Sequence, residues 1–150
     1  MYNNILVPLD GSKRAEEILP HAKELARANN STIHLVMVVE PVSMVFAEPE
    51  GAVGNLELKN TREIELQSLH YLNTHAAALH AEGFKVETEV FFGPVVETII
   101  TAAATKQADL IAMASHGRSG LGHVFYGSVS SGVLNRVDRP LLLIRSHNNK

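Results

Sequence analysis

Short apolar runs alternate with amphipathic stretches along the 150-residue chain. This alternation restricts the fold more than any other feature. "NILVPL" (4–9) is a short apolar run closed by the turn residues Asp10 and Gly11, and reads as a buried strand. Ser12 then stands as an N-cap, with Glu16 and Glu17 near the positive end of a helix over 13–28. Ala15, Ile18, Leu19, Ala22, Leu25 and Ala26 give that helix one apolar stripe, and Asn29 and Asn30 end it. "TIHLVMVV" (32–39) is a second strand. Residues 40–55, with two prolines and two glycines, read as a loop of the length expected for a lid or binding loop. Leu66, Leu69, Leu72, Ala76 and Leu79 mark a core-facing helix over about 57–82, stopped by Gly83. "FKVETEVFF" (84–92) is a third strand. Gly93 and Pro94 open a helix whose Val95, Val96, Ile99, Ile100 and Ala103 face the core. "DLIAMA" (109–114), a helix over about 128–137 and "PLLLIR" (140–145) complete the order β-α-β-α-β-α-β-α-β. Such an order predicts an open, parallel five-stranded α/β sheet covered by helices on both faces. The length suits one domain over residues 1–150, with no internal repeat.

The two edges of that sheet differ. Strand three carries Lys85, Glu87 and Glu89, which suits an exposed edge. Strand five has four apolar residues in a row and little charge to repel a partner. A homodimer through strand 140–145 is therefore expected, the alternative being that the polar C-terminal tail covers this edge.

Composition removes several classes of function. The formal net charge of −3 leaves no basic excess for a nucleic-acid backbone, so no nucleic-acid partner is expected. The absence of cysteine excludes disulfides, thiolate metal sites and thiol catalysis. "MYNNILVPLDGS" has no basic region ahead of a long apolar run, so no signal peptide is read there. No window approaches the roughly 18 uncharged apolar residues of a membrane span. The expectation is a cytoplasmic protein without membrane insertion.

The segment "ASHGRSGLGHVFYGSVSS" (114–131) carries the chemistry. Four glycines (Gly117, Gly120, Gly122, Gly127) fall within it, followed by Ser128, Ser130 and Ser131. It is no dinucleotide fingerprint: Phe125 stands where the third glycine belongs, and the segment follows the fourth strand rather than the first. Nor is it a Walker A loop. Gly122 and Gly127 have that spacing, but Ser128 replaces the lysine and Val129 the hydroxyl residue. What remains is bare backbone between a strand's carboxyl end and a helix N-terminus, where N–H groups and the helix dipole attract anions. Two readings stay open on these residues: a phosphate site, and a flexible loop before a serine-capped helix.

"ASHGRSGLGHVFYGS" resembles the signature of the universal stress protein family, G-x-x-G, nine residues, then G-[ST]. "ILVPLDGS" and "DRPLLLIR" are similar to the family's two ends, so the resemblance spans essentially the whole chain, with least support across 40–60. The signature's first glycine is Ala114 here. The resemblance implies an adenine nucleotide alpha hydrolase-like, Rossmann-like sheet of order 3-2-1-4-5, with its switch point between strands one and four. Ligands of open α/β sheets sit at that point. It also implies ATP, with Mg2+ accompanying the nucleotide. Pro8, Leu9 and Asp10 follow the first strand, Asp10 reaching the ribose, and Val38 meets adenine. Met113, Ala114, His116 and Gly117 line the ribose and first phosphates. Gly127, Ser128, Val129 and Ser130 hold the phosphate chain, and Arg118 balances its charge.

Nothing in the sequence supplies a nucleophile or an orienting carboxylate beside His116, so it reads as a structural or ribose-contacting histidine and no catalytic residue is assigned. His70, His75 and His80 are spaced by five, a net turn of about 140° on a helix, so they do not converge on a metal. Three functions compete: a dimeric nucleotide sensor acting in stress regulation on another protein, a slow ATPase or phosphotransferase using Asp10 and Mg2+, and an interaction module that binds no nucleotide.

Overall fold

The computed structural model describes residues 1–41, 53–115 and 127–146, without side-chain detail at 53–58. Five strands, β1 (Asn4–Pro8), β2 (Thr32–Val39), β3 (Lys85–Phe92), β4 (Leu110–Ala114) and β5 (Leu141–Ile144), form one sheet of order β3-β2-β1-β4-β5. Every pairing is parallel. The expected α/β class, sheet order and edge strands are all found.

The strands alternate their side chains between two helical layers, as the pleat requires. Ile5 and Val7 of β1, Ile33, Leu35 and Met37 of β2 and Leu110 and Ala112 of β4 pack on the layer made by α1 (Lys13–Glu16), α2 (Ile18–Asn29) and α3 (Val53–Ala81). Leu6, Val36, Ile111 and Met113 point the other way, onto α4 (Val95–Thr105) and α5 (Ser128–Arg136). Burial on both faces explains why β1, β2 and β4 read as near-continuous apolar stretches, whereas the edge strand β3 alternates.

The helix expected over 13–28 is two helices. Pro20 has no N–H to donate to the Glu16 carbonyl, and its ring crowds that carbonyl. The first turn therefore closes at Glu16, with the Glu17 N–H on the Arg14 carbonyl at 3.3 Å, and α2 starts afresh at Ile18. The apolar stripe survives the break: Ala15, Ile18, Ala22 and Ala26 are all buried.

The long helix begins four residues earlier than its periodicity indicates, at Val53. Its 29 residues reach about 43 Å at 1.5 Å each, well past an eight-residue strand. Its sheet-covering part buries Leu72, Ala76 and Leu79, whereas Leu66 is 58% exposed. The leucine series is thus core-facing only beyond its first members. Of the expected lid, residues 42–52 lie outside the described residues, and Val53 onward is helical.

Helix ends are set by local carbonyl capture. Gly83, at φ +89°, donates to His80 while Phe84 donates to Leu79, a Schellman pair that returns the chain into β3. Gln107 and Ala108 repeat the pattern on Ala104 and Ala103 at the end of α4. Arg139 adds bonds to the Ala103 and Ala108 carbonyls at 3.0 and 2.9 Å. At the strands' amino ends, buried His34 lies 3.0 Å through Nε2 from Asn4 Oδ1, and its Nδ1 stands 3.2 Å from Glu87 Oε2 without hydrogen-bond alignment. Burial pushes the His34 imidazole below its usual value, against the pull of Glu87.

Candidate functional site

β1 and β4 are neighbours, and the helices that follow them in the chain pack on opposite faces of the sheet. A crevice therefore opens at their carboxyl ends. It holds a cavity of about 210 Å3 lined by Pro8, Leu9, Asp10, Val38, Met113, Ala114, Gly127, Ser128, Val129 and Ser130. Ten of the thirteen residues expected at a ligand site thus meet in one place. The other three, His116, Gly117 and Arg118, lie outside the described residues.

The β1 side of the crevice is a turn built by hydrogen bonds. Leu9 donates its N–H to Val36 O at 2.8 Å, which continues the ladder past the strand. Asp10 Oδ1 accepts from the Ser12 N–H at 2.9 Å and from Ser12 Oγ at 2.6 Å. Ser12 Oγ in turn accepts the Ala15 N–H at 3.1 Å and caps α1. Gly11 takes φ +86°, which a side chain would resist. One carboxylate thereby fixes both the turn and the helix start.

That short helix is fastened to α3. Glu16 accepts from Tyr71 Oη at 2.9 Å, with His75 Nε2 at 3.3 Å and Lys13 Nζ at 3.1 Å. The Tyr71 and His75 rings meet edge to face, 4.8 Å apart. Partial burial pushes the Glu16 carboxyl up, but Lys13, Tyr71 and His75 together outweigh it and hold it below its usual value. Burial, then the Glu16 carboxylate, pushes the Tyr71 hydroxyl up.

The β4 side is the start of α5. Gly127 is its N-cap and supplies no side-chain cap. Its N–H bonds the Ser115 carbonyl at 2.8 Å, and the first helical bond is Ser131 N–H to Gly127 O. The N–H groups of Ser128, Val129 and Ser130 fall before that bond, where a helix leaves donors for an outside acceptor. The Ser130 hydroxyl is directed elsewhere: it donates to the Ser115 carbonyl at 2.8 Å, with Gly127 O at 3.1 Å. Ser130 therefore offers its amide to the mouth and uses its hydroxyl to hold the corner. Ala114 ends β4 in extended backbone opposite Ile144, so the methyl that replaces the signature glycine sits within a regular strand.

Apolar walls come from Val38, Met113 and Ile99, with Met113 and Ile99 buried. Ile99, Ala15 and Ser115 line the cavity without having been singled out. Ile99 and Ala15 belong to helical stripes that signal only a core. Ser115 lies inside the glycine segment, where attention to bare backbone passes over one more serine. Among the described residues no group of three His, Cys, Asp or Glu side chains is placed to hold a metal ion. None of the described helices is long and apolar enough to cross a membrane.

Solved structures share this architecture. Universal stress protein MJ0577 of Methanocaldococcus jannaschii is 27% identical over 161 aligned positions, covering 99% of this chain and 98% of its own. Its structure superposes with a TM-score of 0.86 at 26% identity and 99% coverage of both chains. A universal stress protein in complex with cAMP matches with TM-score 0.68 and 20% identity, over 97% of this chain and 98% of that one. An Arabidopsis thaliana family protein with AMP bound matches with TM-score 0.63 and 16% identity, over 99% and 94%. The sequence profile of the universal stress protein family matches residues 1–145. The sheet order, the glycine-entered α5 and this match together place the chain in the universal stress protein family.

Proposed function

We propose that residues 1–150 form a cytoplasmic, ATP-binding universal stress protein domain that acts as a dimeric nucleotide sensor in stress regulation, through a protein partner still to be found. The observation that carries this reading is the uncapped start of α5, aimed at a cavity whose opposite wall is the Asp10 turn. Two fold relatives that carry cAMP and AMP support an adenine nucleotide as the ligand class. In this reading Val38, with Ile99, takes the base. Pro8, Leu9 and Asp10 take the ribose side, with Met113, Ala114, His116 and Gly117 beside the sugar and first phosphates. The amides of Ser128, Val129 and Ser130 form the phosphate seat, Gly127 leaves its approach open while its own N–H is held by the Ser115 carbonyl, and Arg118 balances charge. A hydrogen bond to a charged group contributes about 1.5–3 kcal/mol, so three or four suffice for micromolar affinity, near −8 kcal/mol, after association costs. Mg2+ would arrive with the triphosphate. Any hydrolysis is proposed to be slow. The dimer is proposed to form through strand 140–145, because β5 is an edge strand of four half-buried apolar residues.

Mass spectrometry of the native purified protein, followed by calorimetry with Mg-ATP, tests the reading. The expected result is co-purified adenine nucleotide and a micromolar dissociation constant. No bound nucleotide, no heat and no thermal shift at millimolar ATP would reject it.

A further inference from the structure

Ser115 follows β4 directly and is 2% exposed. Its backbone is fully engaged: the N–H bonds Ile144 O at 2.8 Å, and the carbonyl accepts from Gly127 N–H and Ser130 Oγ. Its own hydroxyl is buried with no hydrogen-bond partner. A buried hydroxyl left in that state destabilises a fold, so native proteins keep few of them. Alanine would serve this part of the chain without that penalty, as Ala112 and Ala114 already do in the strand just before it.

Two other buried polar atoms among the described residues lack a partner. His34 Nδ1 faces a carboxylate at the opposite end of the sheet, and Ser146 Oγ belongs to a residue outside the cavity wall. Ser115 alone of the three lines the crevice. It stands two residues beyond Met113, another wall residue, and its carbonyl anchors the N-cap of α5.

We infer that Ser115 Oγ is a ligand-directed group, which hydrogen-bonds an oxygen of the ribose–phosphate part of a bound adenine nucleotide. The inference rests on the nucleotide reading above and adds the Ser115 hydroxyl to the groups named there. It also accounts for the orphan hydroxyl: its partner arrives with the ligand. Ribose hydroxyls and phosphate oxygens offer the same chemistry to a serine, and the ligand series below separates them.

The test compares wild type with Ser115→Ala in two measurements, thermal melting without ligand and calorimetry with adenosine, AMP and ATP. The unliganded variant is expected to melt at or above wild type, since an unpaired hydroxyl is removed. ATP affinity is expected to fall about tenfold, equivalent to about 1.4 kcal/mol. A loss already present with adenosine assigns the bond to the ribose; a loss confined to AMP and ATP assigns it to a phosphate. Unchanged ATP affinity in Ser115→Ala overturns the inference, as does an unliganded variant that melts several degrees below wild type. A wild-type protein that takes up none of the three ligands rejects the nucleotide reading itself, a result distinct from either.

Discussion

Ser130 donates its hydroxyl hydrogen to the Ser115 carbonyl at 2.8 Å, joining the first turn of α5 to the end of β4 across fifteen positions of sequence. The same carbonyl accepts the Gly127 N–H. The corner that presents the α5 amides is thereby held by two bonds on one oxygen. We predict that Ser130→Ala loses about 1 kcal/mol of stability, the usual net worth of such a bond, and lowers nucleotide affinity about three- to tenfold. Melting curves and calorimetry on the same preparation check both. A variant that keeps wild-type melting and affinity would show that the brace contributes nothing.

Gly127 has φ −63° and ψ 160°, a conformation open to any residue. Gly127→Val should therefore fold with a melting temperature near that of wild type. Its branched side chain at the helix entry is expected to abolish ATP binding at millimolar ligand. Unchanged affinity would mean that the phosphates lie elsewhere.

Gly132 lets α5 lie against α4. A Cβ there would come within 2.7 Å of Val96 Cγ2 and 3.2 Å of Val96 Cγ1. Overpacking of this kind costs about 1–3 kcal/mol, partly offset by the roughly 1 kcal/mol by which alanine outranks glycine in a helix. Gly132→Ala is expected to weaken nucleotide binding by shifting α5, and Gly132→Ala combined with Val96→Ala to restore it. Failure of the double variant to recover binding would separate the contact from the site.

Stability should fall on mild acidification. Burial holds His34 below its usual 6.5, despite Glu87 and Glu89 nearby, and Lys106 adds to the lowering. The unfolded chain then takes up the proton more readily than the fold. The contribution of neutral His34 is whole above about pH 6.5 and is lost as pH falls through the lowered value. Glu16, also lowered, adds a loss below its usual 4.5. Urea denaturation between about pH 7.5 and 5 should show the first slope in wild type and a flatter one in His34→Gln. Equal slopes would remove His34 as the cause.

Bonds from Ile111 N–H to Pro140 O and from Ser115 N–H to Ile144 O show which backbone groups of β5 face β4. By alternation, Leu141 and Leu143 turn theirs outward. Leu143→Pro removes an outward donor while sparing the ladder to β4. We predict a shift from dimer to monomer in light scattering of this variant. A wild-type protein that is already monomeric would refute the edge-pairing proposal.

Much of the fold is legible because periodicity reports burial: β1, β2 and β4 show as apolar runs, and the edge strand β3 as an alternation. The exceptions have local causes. The stripe from Ala15 to Ala26 keeps its spacing through Pro20, so the pattern hides a break that the proline's missing donor enforces. Leu66 keeps the helical period where no sheet remains beneath it. At the crevice, motif and topology assembled residues from both strand ends, since these follow directly from chain order. Ile99 was out of reach because its place in the wall depends on how α4 packs. The hydroxyls of Ser115 and Ser130 were out of reach because their partners, present or missing, are tertiary facts.

The break at Pro20 has a consequence for anyone seeking a sturdier protein. Pro20→Ala would restore the missing bond and allow one straight rod from Lys13 to Asn29, about 25 Å long. Every helix scale would score that as an improvement. Yet the separate first turn is capped by Ser12, which Asp10 in turn holds, so a rod continuous with α2 would tie the Asp10 turn to the course of the whole helix. Under the ligand role proposed for Asp10, helix stability and the placing of that carboxylate are coupled at this one imino acid.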